Sequence, residues 1–127
     1  MRDLGWARMR VLIVDDSRLA RMTLRKALPP SLPTEIIEAT NGNEAIQCVE
    51  SSQVDLMLLD LTMPGRDGYQ VLQALQDVGR MPPTIVVSAD VQTMAVERVM
   101  KLGALAFIRK SLNPTELADV LKRAGLL

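Results

Sequence analysis

Val11-Leu12-Ile13-Val14-Asp15-Asp16 is an apolar run that stops on two carboxylates, and Val54-Asp55-Leu56-Met57-Leu58-Leu59-Asp60 is another that stops on one. Consecutive aliphatic residues with no polar alternation read as strands buried on both faces, the kind found in parallel sheets covered by helices. Such strands avoid charge, so carboxylates gathered where they end point to a site rather than to a requirement of the fold. If the two strands are neighbours, three carboxylates converge, and like charges about 4 Å apart repel by roughly 4 kcal/mol at an effective dielectric near 20. A divalent cation relieves that repulsion, and an all-oxygen ligand set suits magnesium. Asp15 and Asp16 also have a simpler reading, as caps of the helix that follows.

Outward from these runs the chain alternates strand and helix five times. Strands are expected at Met9–Val14, Glu35–Ala39, Val54–Asp60, Thr84–Ser88 and Leu105–Arg109, and helices near Ser17–Leu28, Asn43–Ser52, Asp67–Asp77, Val91–Leu102 and Pro114–Ala124. Asn41 with Glu44, and Asn113 with Pro114 and Glu116, have capping-box spacing. Gly103 and Gly125 close the fourth and fifth helices. Alternating βα units with right-handed crossovers make a doubly wound α/β fold, a parallel sheet with helices on both faces. Ligands of such folds collect beyond the carboxyl ends of the strands. Asp15, Asp16, Asp60, Ser88 and Lys110 all stand there.

Composition narrows the classes. The 127 residues suffice for one domain with a real core, and a single Trp, Tyr and Phe leave that core aliphatic. Fifteen basic and fifteen acidic residues balance, which argues against a nucleic-acid footprint or a polybasic membrane anchor. One cysteine, Cys48, and no histidine exclude an internal disulfide and a Cys/His zinc site. With no apolar run long enough to span a membrane and no signal-peptide core, a cytoplasmic location is expected. Residues 1–8 read as a flexible extension before a domain at 9–127.

The ordered motifs Val14-Asp15-Asp16-Ser17, Asp60-Leu61-Thr62-Met63-Pro64-Gly65, Asp67-Gly68, Val87-Ser88-Ala89 and Lys110 resemble the CheY-like receiver domain of two-component response regulators, over about Met9 to Ala124. The resemblance implies a flavodoxin-like sheet of five strands in the order 2-1-3-4-5 with five helices. It implies Asp60 as phosphoacceptor, receiving a phosphoryl group from a sensor histidine kinase or a histidine phosphotransfer protein. Mg²⁺, or Mn²⁺ in its place, would be held by Asp15, Asp16, Asp60 and the backbone carbonyl of Thr62. Lys110 and the Ser88 hydroxyl would bind phosphoryl oxygens, assisted by the Ala89 N–H. Ser88 and Phe107 would be the switch that reshapes the surface of helix four, strand five and helix five. Thr62 and Asp90 would tune the lifetime of the acyl phosphate.

Taken singly, these residues have plainer readings: Lys110 as a solvated lysine, Ser88 as a strand-end cap, Phe107 as core. Arg18, Arg21 and Arg25 form one stripe of the first helix with Met22 alongside, either a solvated face or a docking face for the phosphodonor. Val96 and Met100 lie off the buried stripe of helix four, either an ordinary exposed apolar pair or, on the family's output surface, a contact for a downstream target protein. Ser88–Gln92 and Gly103–Phe107 look like receivers linked to chemotaxis-type phosphatases. With Leu127 just past the fifth helix, a single-domain switch without an output domain is expected.

The chain departs from the family at Ser111, where relatives carry proline in a cis peptide. Either a costly cis bond to a non-proline is supported, or the loop is trans and Lys110 approaches differently. Other classes fit less well. An aspartate-nucleophile phosphatase needs a second aspartate where Ser17 stands, and a flavin domain needs a Ser/Thr/Gly-rich phosphate loop. A degenerate receiver serving only as an interaction module has Ser111 as its one support.

Overall fold

The computed structural model describes residues 8–89 and 92–127. Five strands, β1 (Met9–Val14), β2 (Thr34–Ala39), β3 (Leu56–Leu59), β4 (Thr84–Ser88) and β5 (Ala106–Arg109), alternate with five helices. The helices are α1 (Arg18–Ala27), α2 (Gly42–Ser51), α3 (Gly68–Asp77), α4 (Thr93–Lys101) and α5 (Pro114–Arg123). The strands form one parallel sheet in the order β2-β1-β3-β4-β5. The expected doubly wound architecture is therefore the observed one.

The aliphatic runs are buried on both faces, which is why they do not alternate. Leu12, Val14, Met57, Leu59 and Val86 pack against Ala45, Val49, Val71, Leu75 and Val99 of α2, α3 and α4. Val11, Ile13, Leu56, Leu58 and Ile85 face the other way, against Leu24 of α1 and Leu117 and Leu121 of α5. Most of these side chains have no exposed surface. At about 25 cal/mol per Å² of apolar area, each fully buried Leu, Ile or Val contributes roughly 1.5–3 kcal/mol before chain entropy is counted. The chain moves outward from β1 to β2 and then returns across β1 to β3. The reversal between β1 and β3 opens a crevice at the carboxyl end of the sheet.

Local chemistry differs from expectation at several ends. β3 is shorter than its apolar run because Asp55 turns its carboxylate to the Arg10 N–H, at 2.7 Å. At α2, Asn41 accepts from the Glu44 N–H, but Glu44 closes back on the Thr40 N–H and hydroxyl rather than on Asn41. Asn113 caps α5 through the Thr115 N–H. The reciprocal capping box belongs to α3, between Asp67 and Gln70. Gly103 and Gly125 do take positive φ, 101° and 75°, the backbone geometry that closes a helix.

Candidate functional site

Register decides which side chains meet. β1 and β3 pair with Val14 opposite Leu59, so Asp15 and Asp60 leave the sheet side by side. The Asp15 N–H donates to the Ala39 carbonyl (3.1 Å) and the Asp60 N–H to the Val14 carbonyl (2.9 Å), carrying the ladder one residue past each strand. Asp15 and Asp60 are buried and Asp16 is exposed. One oxygen from each lies within 4.8 Å of the others.

Ser17, not either aspartate, caps α1, its Oγ accepting from the Ala20 N–H at 3.2 Å. Asp15 Oδ1 accepts from the Ser17 N–H at 2.9 Å, which turns the chain into the helix. The simpler capping reading of the aspartate pair therefore does not describe them.

Lys110 reaches the pair from the far side of the crevice. Ser88 lies opposite Arg109 in the β4–β5 register, and the Lys110 N–H donates to the Ser88 carbonyl at 2.9 Å. The Lys110 Nζ then stands 2.8 Å from Asp15 Oδ2 and 3.5 Å from Asp60 Oδ1. The contact with Asp15 is an ion pair without hydrogen-bond alignment, so this buried oxygen lacks an aligned donor. Such oxygens are costly, and a cation seated among the three aspartates would satisfy it. The all-oxygen donor set suits a hard cation such as Mg²⁺. The residues present fit such an ion.

Electrostatics reflect the crowding. Burial foremost, and then the charge of Asp15, push the Asp60 carboxyl up to about 6, against the opposing pull of Lys110 and the Thr62 N–H. Burial works against the Lys110 ammonium, but Asp15 and Asp60 outweigh it and hold its pKa above the usual lysine value. Proton and ammonium thus compete for one small group of oxygens.

Ser88 is fully buried at the end of β4. Phe107 is half-buried against the core beneath α2, α3 and α4. Thr62 is exposed, and Asp90 lies outside the described residues. The Lys110–Ser111 peptide is trans, and Ser111 takes a φ of 73°, so the loop turns by left-handed backbone where relatives use a cis proline. Val96 and Met100 are exposed on α4, as are Arg18 and Met22 on α1.

Arg21 and Arg25 are committed within the protein. Arg21 Nε lies 2.6 Å from Glu38 Oε1 and Arg25 Nη2 lies 2.7 Å from Glu38 Oε2. The Arg21 Nη1 also donates to the Asp15 carbonyl at 2.9 Å. The periodicity of α1 could not reveal this, because the partner is in β2; the one signal was the pair of charged residues, Glu35 and Glu38, inside that strand. Gly68, part of the Asp67-Gly68 motif, gave no sign of its packing role. A β-carbon there would come within 2.5 Å of the Asp60 carbonyl oxygen, so α3 can pack against the backbone of Asp60 only through glycine.

Comparison with known proteins agrees with the geometry. The family model described as the response regulator receiver domain matches residues 11–122. The chain is 32% identical over 116 residues to the chemotaxis protein CheY of Thermotoga maritima, covering 91% of this chain and 97% of that one. It is 35% identical over 119 residues to the positive alginate biosynthesis regulatory protein of Pseudomonas aeruginosa, covering 92% of this chain but 47% of the relative. The chain thus spans about half the length of that regulator. Among solved structures it resembles the phosphorylated cyanobacterial phytochrome response regulator RcpA, with 25% identity, a TM-score of 0.77 and coverage of 93% and 91%. With this match across the sheet, the acidic crevice and the opposing lysine, the chain belongs to the CheY-like response regulator receiver domain family of two-component systems.

Proposed function

We propose that the chain is a phosphorylation switch that accepts a phosphoryl group on Asp60. The observation that carries this reading is the convergence of Asp15, Asp16 and Asp60 within 4.8 Å beneath the Lys110 ammonium. The donor is a phosphohistidine of a sensor kinase or phosphotransfer protein. An Asp60 carboxylate oxygen attacks phosphorus; the P–O bond forms as the P–N bond breaks, and the imidazole leaves neutral because its other ring nitrogen already carries a proton. Lys110 moves from Asp15 toward a phosphoryl oxygen, and the Ser88 hydroxyl and Ala89 N–H donate to others. Asp15, Asp16, Asp60 and the Thr62 carbonyl would hold Mg²⁺, or Mn²⁺ in its place, which when bound would neutralise developing charge. Hydrolysis of the acyl phosphate restores the Asp60 carboxylate, at a rate tuned by Thr62 and Asp90.

The signal follows from packing. Drawing Ser88 inward vacates space that Phe107 fills from β5, altering the surface of α4, β5 and α5. Val96 and Met100 offer that surface to a downstream target protein or a chemotaxis-type phosphatase, and methionine suits adaptable contacts. A groove of about 370 Å³ between α1 and the loop after β5 supports donor docking beside the acceptor. Leu19, Ala20 and Thr23 line one wall, and Lys110, Ser111 and Leu112 the other. Leu19 is 74% exposed at its rim. Arg18 and Met22 are exposed on a different side of α1 from this groove, and Arg21 and Arg25 are held by Glu38.

The reading is tested by intact-mass spectrometry after incubation with Mg²⁺ and acetyl phosphate, with Asp60→Asn alongside. An added phosphoryl mass in the wild type alone supports it. Equal labelling of Asp60→Asn overturns the site, and no labelling by acetyl phosphate or by a phosphohistidine donor overturns the function.

A further inference from the structure

The peptide that joins Asp15 to Asp16 is gripped from outside the crevice. Its carbonyl oxygen belongs to Asp15 and accepts from Arg21 Nη1 at 2.9 Å. Arg21 is itself aimed by Glu38, at 2.6 Å, and its side chain is only 13% exposed. Arg25 holds the second oxygen of Glu38 at 2.7 Å, so the carboxylate is bracketed by two guanidinium groups. These charges draw the Glu38 carboxyl below its usual pKa, through hydrogen bonds from Arg25 and Arg21.

The consequences for the two aspartates differ. Asp15 is fixed independently: its N–H bonds to Ala39, its Oδ1 takes the Ser17 N–H, and it is fully buried. Asp16 is exposed, and its carboxylate has no hydrogen bond or ion pair among the described residues. What aims Asp16 is the plane of the peptide before it. A turn about ψ of Asp15 moves the Asp16 backbone and the carboxylate it carries while leaving Asp15 in place, and the Arg21 bond to the Asp15 carbonyl opposes that turn. A charge-assisted bond from a planar, pre-oriented guanidinium suits this task better than one from a flexible ammonium.

We propose that Arg21 is a positioning residue for the acidic crevice, locking the Asp15–Asp16 peptide so that Asp16 is aimed at the cation, with Glu38 as the anchor of Arg21. The inference rests on the metal-assisted reading of the site and assigns to α1 and β2 a part in it. Supports that orient a ligand from behind typically govern 10- to 100-fold in metal affinity. Arg21 acts on one of three carboxylates, so about tenfold is expected.

The test is calorimetric titration of the purified protein with Mg²⁺ alone, with thermal denaturation of the metal-free protein run beside it. Wild type, Arg21→Ala, Arg21→Lys, Arg25→Ala and Glu38→Gln are compared. Arg21→Ala is expected to bind Mg²⁺ about tenfold more weakly, with Arg21→Lys recovering part of the loss. Arg25→Ala, which removes a bond to Glu38 but none to the loop, is expected to lower the melting temperature with little change in affinity. Glu38→Gln falls between. If Arg21→Ala loses thermal stability but binds Mg²⁺ as the wild type does, Arg21 is merely structural and the proposal fails. Should Arg21→Ala not fold, unaltered affinity in both Arg21→Lys and Glu38→Gln has the same force. A wild type that binds no Mg²⁺ overturns the reading of the crevice itself, a separate outcome.

Discussion

Lys110 Nζ lies 2.8 Å from Asp15 Oδ2, closer than its 3.5 Å approach to Asp60 Oδ1. The ammonium is therefore the counter-ion of a fully buried carboxylate first and a neighbour of Asp60 second. The same cation offsets repulsion in the crevice and, on the proposed function, would bind a phosphoryl oxygen after transfer. The ion pairs give Lys110 a measurable share in stability.

Removing one member of a fully buried ion pair costs about 3–5 kcal/mol, because the other charge is stranded. The Lys110 side chain is 31% exposed, so Lys110→Ala is expected to cost less, about 2 kcal/mol, in metal-free protein. Saturating Mg²⁺ should recover much of that loss while phosphorylation stays slow. Urea denaturation with and without Mg²⁺ checks this; a loss that Mg²⁺ leaves untouched would contradict the counter-ion role.

Asp60 carries a pH signature of opposite sign to an ordinary salt-bridged aspartate. Its folded pKa is raised to about 6, by burial and then by Asp15, against roughly 3.9 in an unfolded chain. Between these values the native state binds more protons than the unfolded one, so stability falls as pH rises from about 4 through about 6. The full loss, an upper bound of about 3 kcal/mol, is present at neutral pH without metal. Asp60→Asn is expected to be more stable than wild type at pH 8 in chelator, with the advantage shrinking toward pH 5. Chemical denaturation at both pH values measures it.

Ser111 holds a φ of 73°, a region that costs an L-residue about 1–2 kcal/mol and glycine almost nothing. Ser111→Gly is expected to raise stability by about 0.5–1 kcal/mol, since glycine's looser unfolded chain offsets part of the relief. Ser111→Val, with a branched β-carbon, should destabilise and weaken phosphorylation by moving Lys110. Melting temperatures of the two variants should therefore bracket the wild type.

A methyl group at position 68 would meet the Asp60 carbonyl oxygen at 2.5 Å and the Leu61 Cα at 2.8 Å. Neither atom is the end of a flexible side chain. Gly68→Ala is expected to cost about 1–3 kcal/mol and to reduce Mg²⁺-dependent phosphorylation by displacing Asp60. If thermal unfolding and the rate both match wild type, α3 does not constrain the acceptor in this way.

Much of the protein was legible in the chain. Unbroken aliphatic runs can be satisfied only between two layers of helices, and alternation of such runs with amphipathic stretches leaves few topologies. Carboxylates where those runs stop have no reason in packing, so Asp15, Asp16 and Asp60 announced a site. Strand order and the roles of Ser88, Phe107 and Lys110 came from resemblance to a family, not from local pattern. The same pattern could not say whether the stripe of Arg18, Arg21 and Arg25 faces solvent or protein. It also left open whether Ser111 follows a cis or a trans peptide.

The sequence by itself determined the elements, the buried strands and the residues that carry charge to their ends, because periodicity, caps and solvation act over a few residues. Tertiary structure alone decided that Lys110 sits closer to Asp15 than to Asp60, that Arg21 turns inward to Glu38 and the Asp15 carbonyl, and that Gly68 leaves room for Asp60. Those contacts join segments far apart in the chain. Each depends on strand register and helix docking, which are set by the packing of the whole core.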